Sequence, residues 1–284
     1  MHKQNGFIPL KKEISEHKSE LFIRGFTLIE LLTVIAIIVL LTAILIPAAQ
    51  LVKKQANTAA CQSNLHQWSL FFSMYTEDNK DRFFIAPSGT DWRFWGRAMK
   101  PYYRNTDDLW FCPMATALVN PNGEQGIRTI GGRSLAWGRF HGEYRDLFGS
   151  YGVNLWLCDN RCTNITCWHQ QCWKTIYVKG ANNIPVFLDC MMPGGMPDSQ
   201  DGPPEYEDLH AGKAGNCWMS HFCINRHDSL INSLFMDWSA RKIGLKELWT
   251  LKWHRSFNTA GQWTQSGGVL LEEWPQWMMN FKDY

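Results

Sequence analysis

A continuous apolar segment from Phe26 to Ile46 constrains this chain more than any other feature. It contains 21 residues, and Glu30 is its only charged residue. As an α-helix it would be about 31 Å long, which matches the hydrocarbon thickness of a bilayer. A helix on the surface of a soluble protein would show a polar face, and this segment has none. The sequence therefore predicts a helix that spans a membrane.

A removable secretory signal peptide is the main alternative for this segment. Its apolar region would be about 7–15 residues long and would end at a small-x-small cleavage site. The present run is longer, and Pro47 occupies the first position of the adjacent candidate site, Pro47-Ala48-Ala49. These features favour an uncleaved membrane helix.

The charges that flank the apolar segment predict its orientation. Five basic residues precede it, Lys3, Lys11, Lys12, Lys18 and Arg24, and only Lys53 and Lys54 follow closely. The positive-inside rule then places the N-terminus in the cytoplasm and residues 79–284 outside it. The nine cysteines suit an oxidising compartment, where disulfides persist.

The residues around Gly25 resemble the processing site of type IV prepilins. The sequence Arg24-Gly25-Phe26-Thr27-Leu28-Ile29-Glu30 has glycine before the cut, an aromatic first residue and glutamate at the fifth position of the cleaved chain. Pro47 lies where pilin helices commonly carry a proline. The resemblance implies cleavage between Gly25 and Phe26 by a membrane prepilin peptidase, which also methylates the new amine of Phe26.

The resemblance also implies a role for Glu30 in assembly. A carboxylate near the centre of a bilayer costs about 2.5–3.5 kcal/mol on insertion scales. In a filament, the Glu30 carboxylate could pair with the Phe26 amine of a neighbouring subunit and fix the axial register. The alternative is a hydrated glutamate near the end of the helix.

The segment that follows Pro47 continues the helical pattern but becomes amphipathic. The apolar residues Cys61, Leu65, Trp68, Phe72 and Tyr75 recur at steps of four and three, which describes one face of a helix. The predicted organisation is a leader at 1–25, a transmembrane and assembly helix at 26–46, its amphipathic continuation at 47–78 and an extracytoplasmic domain at 79–284. We expect an α+β, pilin-like fold with the long helix packed on an antiparallel β-sheet.

Several segments of the outer domain carry their own structural predictions. Pro185–Asp189 is predicted as a strand, Leu109–Cys112 as a strand or buried anchor, and Pro193–His210 as a long loop. Residues 229–236 and 240–245 are predicted to form a β-hairpin around Asp237, and Lys246–Asn258 has helical spacing.

His227 and Asp237, separated by nine residues, resemble the His-x9-Asp-Gly region of a subgroup of prepilin-like proteins. Trp238 stands where that region has glycine. The Cys61-Gln62-Ser63-Asn64-Leu65 and Cys112-Pro113 segments are also similar to the subgroup. We interpret His227 and Asp237 as polar residues that position the hairpin rather than as catalytic groups.

The cysteines are candidates for disulfides, and their connectivity is open. The candidates are Cys61, Cys112, Cys158, Cys162, Cys167, Cys172, Cys217 and Cys223. A Cys61–Cys112 bridge would tie the long helix to the sheet, and a Cys217–Cys223 bridge would be local. The four cysteines from Cys158 to Cys172 surround His169, so a metal site is the alternative there.

An acidic loop is a candidate calcium site. Its carboxylates belong to Asp198, Asp201, Glu205, Glu207 and Asp208. Calcium prefers such oxygen ligands, and the resemblance adds that major pseudopilins of type II secretion carry a calcium-binding loop. The spacing matches no EF-hand, and a solvated acidic loop is the alternative.

The resemblance implies a structural subunit of a type II secretion pseudopilus or type IV-like filament, anchored in the inner membrane. Its partners would be the prepilin peptidase, other pilin or pseudopilin subunits and the inner-membrane assembly platform. The net charge of +2 argues against nucleic-acid binding, and no common catalytic motif is present. The alternatives are a membrane-tethered glycan-binding protein or a tethered hydrolase. The candidates for stacking on sugars are Trp92, Trp95, Trp137, Trp168, Trp173, Trp218, Trp249, Trp253, Trp274 and Trp277, for which core packing is the other interpretation.

Overall fold

The computed structural model describes residues 26–85, 94–103, 106–118, 130–138, 148–159, 170–208 and 217–284. Its α-helices are α1 (Leu28–Asp78) and α2 (Phe94–Met99). Its strands are β1 (Phe84–Ile85), β2 (Ala117–Leu118), β3 (Leu135–Gly138), β4 (Phe148–Gly149), β5 (Tyr151–Asn154), β6 (Cys158–Asp159), β7 (Pro185–Asp189), β8 (Gly194–Gly195), β9 (Leu230–Phe235) and β10 (Ala240–Gly244). Short 3-10 helices lie at Asp107–Trp110, Ala181–Asn183, Trp218–His221, Lys246–Thr250, Gln265–Gly267 and Leu271–Glu273.

The chain divides into two compact units, one that ends at Gln50 and one from Leu51 to Tyr284. In the first unit, α1 is apolar on all sides and Pro47 lies inside the helix. In the second unit, the predicted stripe of α1 is confirmed, because Cys61, Leu65, Trp68, Phe72 and Tyr75 are all buried. The helix thus changes from uniformly apolar to amphipathic within one continuous element.

A five-stranded sheet forms the centre of the second unit, in the order β10-β9-β7-β5-β8. Its strands pair antiparallel except for β5 and β8, which are parallel. The predicted strand Pro185–Asp189 is confirmed as β7, and the predicted hairpin is confirmed as β9 and β10. Two smaller sheets pair β1 with β6 and join β2, β3 and β4.

Aromatic side chains pack the second half of α1 against this sheet. The Trp68 ring lies 4.9 Å from that of Phe187 on β7 and 5.2 Å from that of Trp110. The Trp68 indole N–H donates a hydrogen bond to the Leu109 carbonyl at 2.8 Å. The prediction of an α+β fold with a long helix packed on a sheet is therefore confirmed.

The segment Leu109–Cys112 takes the second of its two predicted forms, a buried anchor. It forms no strand, and Leu109 and Trp110 are buried at the end of a 3-10 helix. The predicted helix from Lys246 is only a 3-10 helix that stops at Thr250. Its apolar positions are nevertheless buried, since Leu251, Trp253 and others pack into the core through irregular turns.

The predicted loop that starts at Pro193 contains the short strand β8. The backbone of Gly194 approaches β5 so closely that an added Cβ would lie 2.6 Å from the Val153 carbonyl oxygen. A glycine is therefore required for this pairing. The last two residues of the predicted loop, 209 and 210, lie outside the described residues.

Candidate functional site

The N-terminal end of α1 is a capping box built by Thr27 and Glu30. The Glu30 Oε2 atom accepts hydrogen bonds from the Thr27 backbone N–H at 2.9 Å and from its hydroxyl at 2.8 Å. The spacing Thr-x-x-Glu is the usual sequence signal for such a cap. Gly25, the predicted cleavage position, lies outside the described residues.

The apolar side chains of the first unit have no partners within it. Every large apolar residue from Phe26 to Ile46 is at least 44% exposed. The helix is long and apolar enough to cross a membrane by its length and composition. An apolar surface of this extent indicates contact with lipid or with another protein surface.

The structure places His227 and Asp237 in different environments. Asp237 is exposed in the hairpin turn, where its Oδ1 accepts hydrogen bonds from the Ser239 N–H and hydroxyl. Trp238, at the position of the family's glycine, adopts a φ of 66°, the left-handed conformation that glycine accommodates best. His227 instead lies before β9, buried against other elements of the fold.

His227 belongs to a buried cluster with Cys61, Cys112 and Asp189. One ligand atom from each residue lies within 4.8 Å of the other three. The His227 Nε2 atom is 3.3 Å from Cys112 Sγ and 3.3 Å from Asp189 Oδ2. Cys61 Sγ lies 3.8 Å from the Asp189 carboxylate oxygens.

Each member of the cluster comes from a different part of the fold. Cys61 lies on the buried stripe of α1, and Asp189 is the last residue of β7. Cys112 follows a 3-10 helix, and its backbone N–H donates to the Ser150 hydroxyl. The cluster therefore forms only when helix, sheet and loops are packed together.

A second group of contacts holds the cluster in place. Arg226 is fully buried, and its Nη1 donates to Asp189 Oδ1 at 2.9 Å. The backbone N–H of Asn232 donates to Asp189 Oδ2 at 2.8 Å. Thr58 Oγ1 lies 3.0 Å from His227 Nδ1, and the Tyr151 hydroxyl donates to Cys61 Sγ at 3.1 Å.

The cluster perturbs the acid–base behaviour of its members. Burial raises the pKa of the Cys61 thiol well above its usual range. Burial also opposes ionisation of Cys112, but hydrogen bonds with Cys61 and His227 lower its pKa to about 7. Burial disfavours the charged imidazole of His227, yet the Asp189 carboxylate outweighs this and raises its pKa to about 9. Despite burial, His227 and Arg226 hold the pKa of Asp189 well below its usual range.

Sequence reasoning identified three members of this cluster but not Asp189, Arg226 or Thr58. A Cys61–Cys112 bridge was one of the candidate pairings, and the structure brings these two sulfurs within 4.8 Å, with both thiols free. The available signal for Asp189 was a carboxylate at the end of an otherwise apolar strand, which needs a buried partner. Nothing in the sequence indicated which partner that would be.

The remaining cysteine candidates are only partly described. Cys158 and Cys172 are close, with 2.6 Å between their sulfurs, whereas Cys162 and Cys167 lie outside the described residues. Cys217 donates to the Gly202 carbonyl, and Cys223 Sγ lies 3.9 Å from Met278 Sδ. The Cys158 and Cys172 thiols are both free, and their separation is longer than an S–S bond of about 2.05 Å, so a bridge between them stays a prediction.

The described contacts of the acidic loop divide its carboxylates between two places in the fold. Asp201 is buried, and its Oδ2 accepts from the N–H groups of Asp198 and Met219. Glu207 pairs with the Arg133 side chain, and Asp208 accepts from the Arg133 N–H. Within the described ranges these carboxylates do not gather their oxygens around one point. Calcium binding there remains a prediction without geometric support.

The tryptophans considered for glycan stacking pack mainly inside the domain. Trp95, Trp137, Trp173, Trp249, Trp253 and Trp274 are buried. Trp218 and Trp277 are half-buried, and Trp92 and Trp168 lie outside the described residues. The described members of this set provide no fully exposed aromatic face on which a sugar could stack.

The chain is similar over part of its length to a known pilus protein. The chain is 48% identical over 56 residues to the type IV wide pilus major component PilA4 of Thermus thermophilus. The matched part is 20% of this chain and 43% of the length of that protein. No protein-family description matches the chain, and no solved structure matches it.

Proposed function

We propose that this chain is a pilin-like structural subunit that assembles through its N-terminal helix into a type IV-like filament or a type II secretion pseudopilus. The exposed apolar surface of α1 from Phe26 to Ile46 carries this proposal, because such a surface needs lipid before assembly and neighbouring subunits after it. The identity to a pilus major component supports the same role. The subunit itself catalyses no reaction.

Processing would prepare the subunit for assembly. A prepilin peptidase cuts after Gly25 and methylates the amine of Phe26, which leaves a positive charge four residues before Glu30. Both observed hydrogen bonds of Glu30 go to Oε2, and a carboxylate has about four acceptor positions. The capped carboxylate therefore retains capacity to accept the amine of a neighbouring subunit.

The basic residues before Phe26 support assembly at the inner membrane. The basic residues before Phe26 keep the N-terminus cytoplasmic, so the unit from Leu51 lies outside the inner membrane. The inner-membrane assembly platform would then collect subunits from the bilayer and extrude them. Other pilin or pseudopilin subunits are the direct partners.

The proposal is tested with Glu30→Ala in cells that express the peptidase and the assembly platform. Removing one member of a buried ion pair costs about 3–5 kcal/mol, so filament yield should fall by about a hundredfold or more while cleavage continues. Sheared filaments are counted by electron microscopy, and cleavage is followed by mass spectrometry.

Glu77→Ala is the matched control, because Glu77 lies on the same helix and is exposed in the second unit. It should leave filament yield unchanged. Normal filaments from the Glu30 variant, or equal losses from both variants, would contradict the pairing of Glu30 with the terminal amine.

A further inference from the structure

We propose that Cys61, Cys112, Asp189 and His227 form a structural zinc site that joins the long helix to the sheet of the outer domain. The four ligand atoms lie within 4.8 Å of one another, and all four residues are buried. Zinc accepts thiolate, imidazole and carboxylate ligands together, whereas calcium and magnesium prefer oxygen. The ligand set therefore selects a borderline-soft divalent cation.

Three of the six distances between ligand atoms in the cluster are close to the edges of a zinc tetrahedron. Bonds of about 2.3 Å to sulfur and about 2.0–2.1 Å to nitrogen and oxygen give edges of about 3.3 Å between nitrogen and oxygen and about 3.5 Å from sulfur to either. The His227–Asp189 distance is 3.3 Å, the Cys112–His227 distance is 3.3 Å and the Cys61–Asp189 distance is 3.8 Å. The remaining separations are at most 4.8 Å, so binding of a cation would draw these ligand atoms together by up to about 1 Å.

The hydrogen bonds around His227 orient it as a metal ligand. The Thr58 hydroxyl donates its proton to the Lys54 carbonyl at 2.9 Å, so its oxygen accepts from the Nδ1–H of His227. A cation that binds at Nε2 would displace the proton there and use the lone pair that faces Cys112 and Asp189, while Nδ1 keeps its hydrogen. Polar partners on the second nitrogen are characteristic of zinc-bound histidines.

The charges around the cluster also balance with zinc bound. Two thiolates and one carboxylate contribute three negative charges, and the zinc ion and Arg226 contribute three positive charges. Arg226 holds Asp189 Oδ1 at 2.9 Å, which leaves Oδ2 to face His227. The Tyr151 hydroxyl donates to Cys61 Sγ and would stabilise its thiolate.

The completeness of the ligand set indicates a structural role. Four protein ligands fill a tetrahedral zinc ion, whereas catalytic sites keep one position for water or substrate. A Cys61–Cys112 disulfide would use the same two sulfurs but neither His227 nor Asp189. The presence of all four ligand atoms within 4.8 Å of one another favours the metal.

The full chain, purified in detergent without chelators, tests this assignment by elemental mass spectrometry. We expect about one zinc ion per chain, and cobalt substitution should give the visible spectrum of a tetrahedral thiolate site. His227→Ala and Cys112→Ser should lose the metal. Cys217→Ser is the control and should retain it, because Cys217 donates to Gly202 instead.

A second variant separates zinc binding from a general folding defect. Thr58→Val leaves all four ligands in place but removes the acceptor for Nδ1–H, so zinc affinity should fall by about 10–100-fold. A competition titration with a chromophoric chelator measures this change on the folded wild type and variant. An unchanged affinity would overturn the proposed positioning of His227.

The wild-type chain alone can refute the site. Cells grown with added zinc should give a protein whose Cys61 and Cys112 become available to alkylation after chelation and denaturation. A Cys61–Cys112 linked peptide in the non-reduced digest would overturn the proposal. Failure of the reduced, folded chain to bind added zinc would do the same.

Discussion

Replacement of Trp68 by alanine tests how the second half of α1 is held to the sheet. Trp68 is fully buried, and its ring lies within 6.1 Å of the rings of Phe71, Phe72, Trp95, Tyr103, Trp110 and Phe187. Truncation of a buried tryptophan to alanine costs about 3–5 kcal/mol. The Leu109 carbonyl also loses its indole donor, which adds about 1 kcal/mol.

This loss should be visible in thermal unfolding of the full chain in detergent, followed by near-ultraviolet circular dichroism. For a unit of this size each 1 kcal/mol lowers Tm by about 2–4 °C, so the variant should unfold about 10–20 °C earlier. A domain with about 5–15 kcal/mol of stability would lose a large part of it.

The neighbouring Leu70 provides the matched control. Its side chain is 63% exposed on the opposite side of the helix, so Leu70→Ala should change stability by no more than about 0.5 kcal/mol. A Trp68 variant with the wild-type Tm would refute the packing of α1 on the sheet. Equal losses from both variants would show that the buried stripe is assigned to the wrong face.

Three further perturbations probe the second unit, Leu51–Tyr284. Asn154 is buried, donates to the Pro185 and Trp253 carbonyls and accepts from the Trp156 N–H. Asn154→Ala should therefore lower the free energy of unfolding, measured with urea, by about 2–4 kcal/mol. A loss below about 1 kcal/mol would contradict these contacts. Burial raises the pKa of Asp201 to about 6, so its contribution to stability is fully present below about pH 4 and is lost as pH rises through 6. In Asp201→Asn, the free energy of unfolding should no longer decrease between pH 4 and 7. The same decrease in the variant and the wild type would exclude Asp201 as its source. The Cys158 and Cys172 sulfurs are 2.6 Å apart, so peptide mapping without reduction should recover the two residues as a linked pair. Alkylation of both thiols without prior reduction would contradict this bridge.

Local patterns in the sequence were sufficient for much of the fold. The stripe that contains Cys61 and Trp68 follows helical periodicity, and consecutive strands β9 and β10 pair because a short turn joins them. The same periodicity after Lys246 identified buried residues correctly but assigned them to a helix. Compact 3-10 turns can bury the same positions, so burial alone does not determine the type of element.

Contacts between distant segments could not be predicted in this way. The pairing of Asp189 with Arg226 depends on where β7 ends relative to the residues before β9. The motif that contains His227 was identified, but its nine-residue spacing to Asp237 suggested a shared role in the hairpin. Tertiary packing instead directs His227 towards α1, where Thr58 accepts its Nδ1–H.

The turn at Trp238 illustrates how a departure from a family pattern is accommodated. A non-glycine residue at a φ of 66° carries a backbone cost of about 1–2 kcal/mol. The ring packs against the hydrophobic core, and Asp237 binds the Ser239 N–H to complete the turn. The hairpin therefore forms without the expected glycine.

Mass spectrometry of the N-terminal peptide from the native membrane-bound product tests the central claim most directly. The proposed role predicts that the chain begins at Phe26 and carries a methyl group on its terminal amine. A product that retains residues 1–25, with an unmodified Phe26 inside the chain, would contradict it.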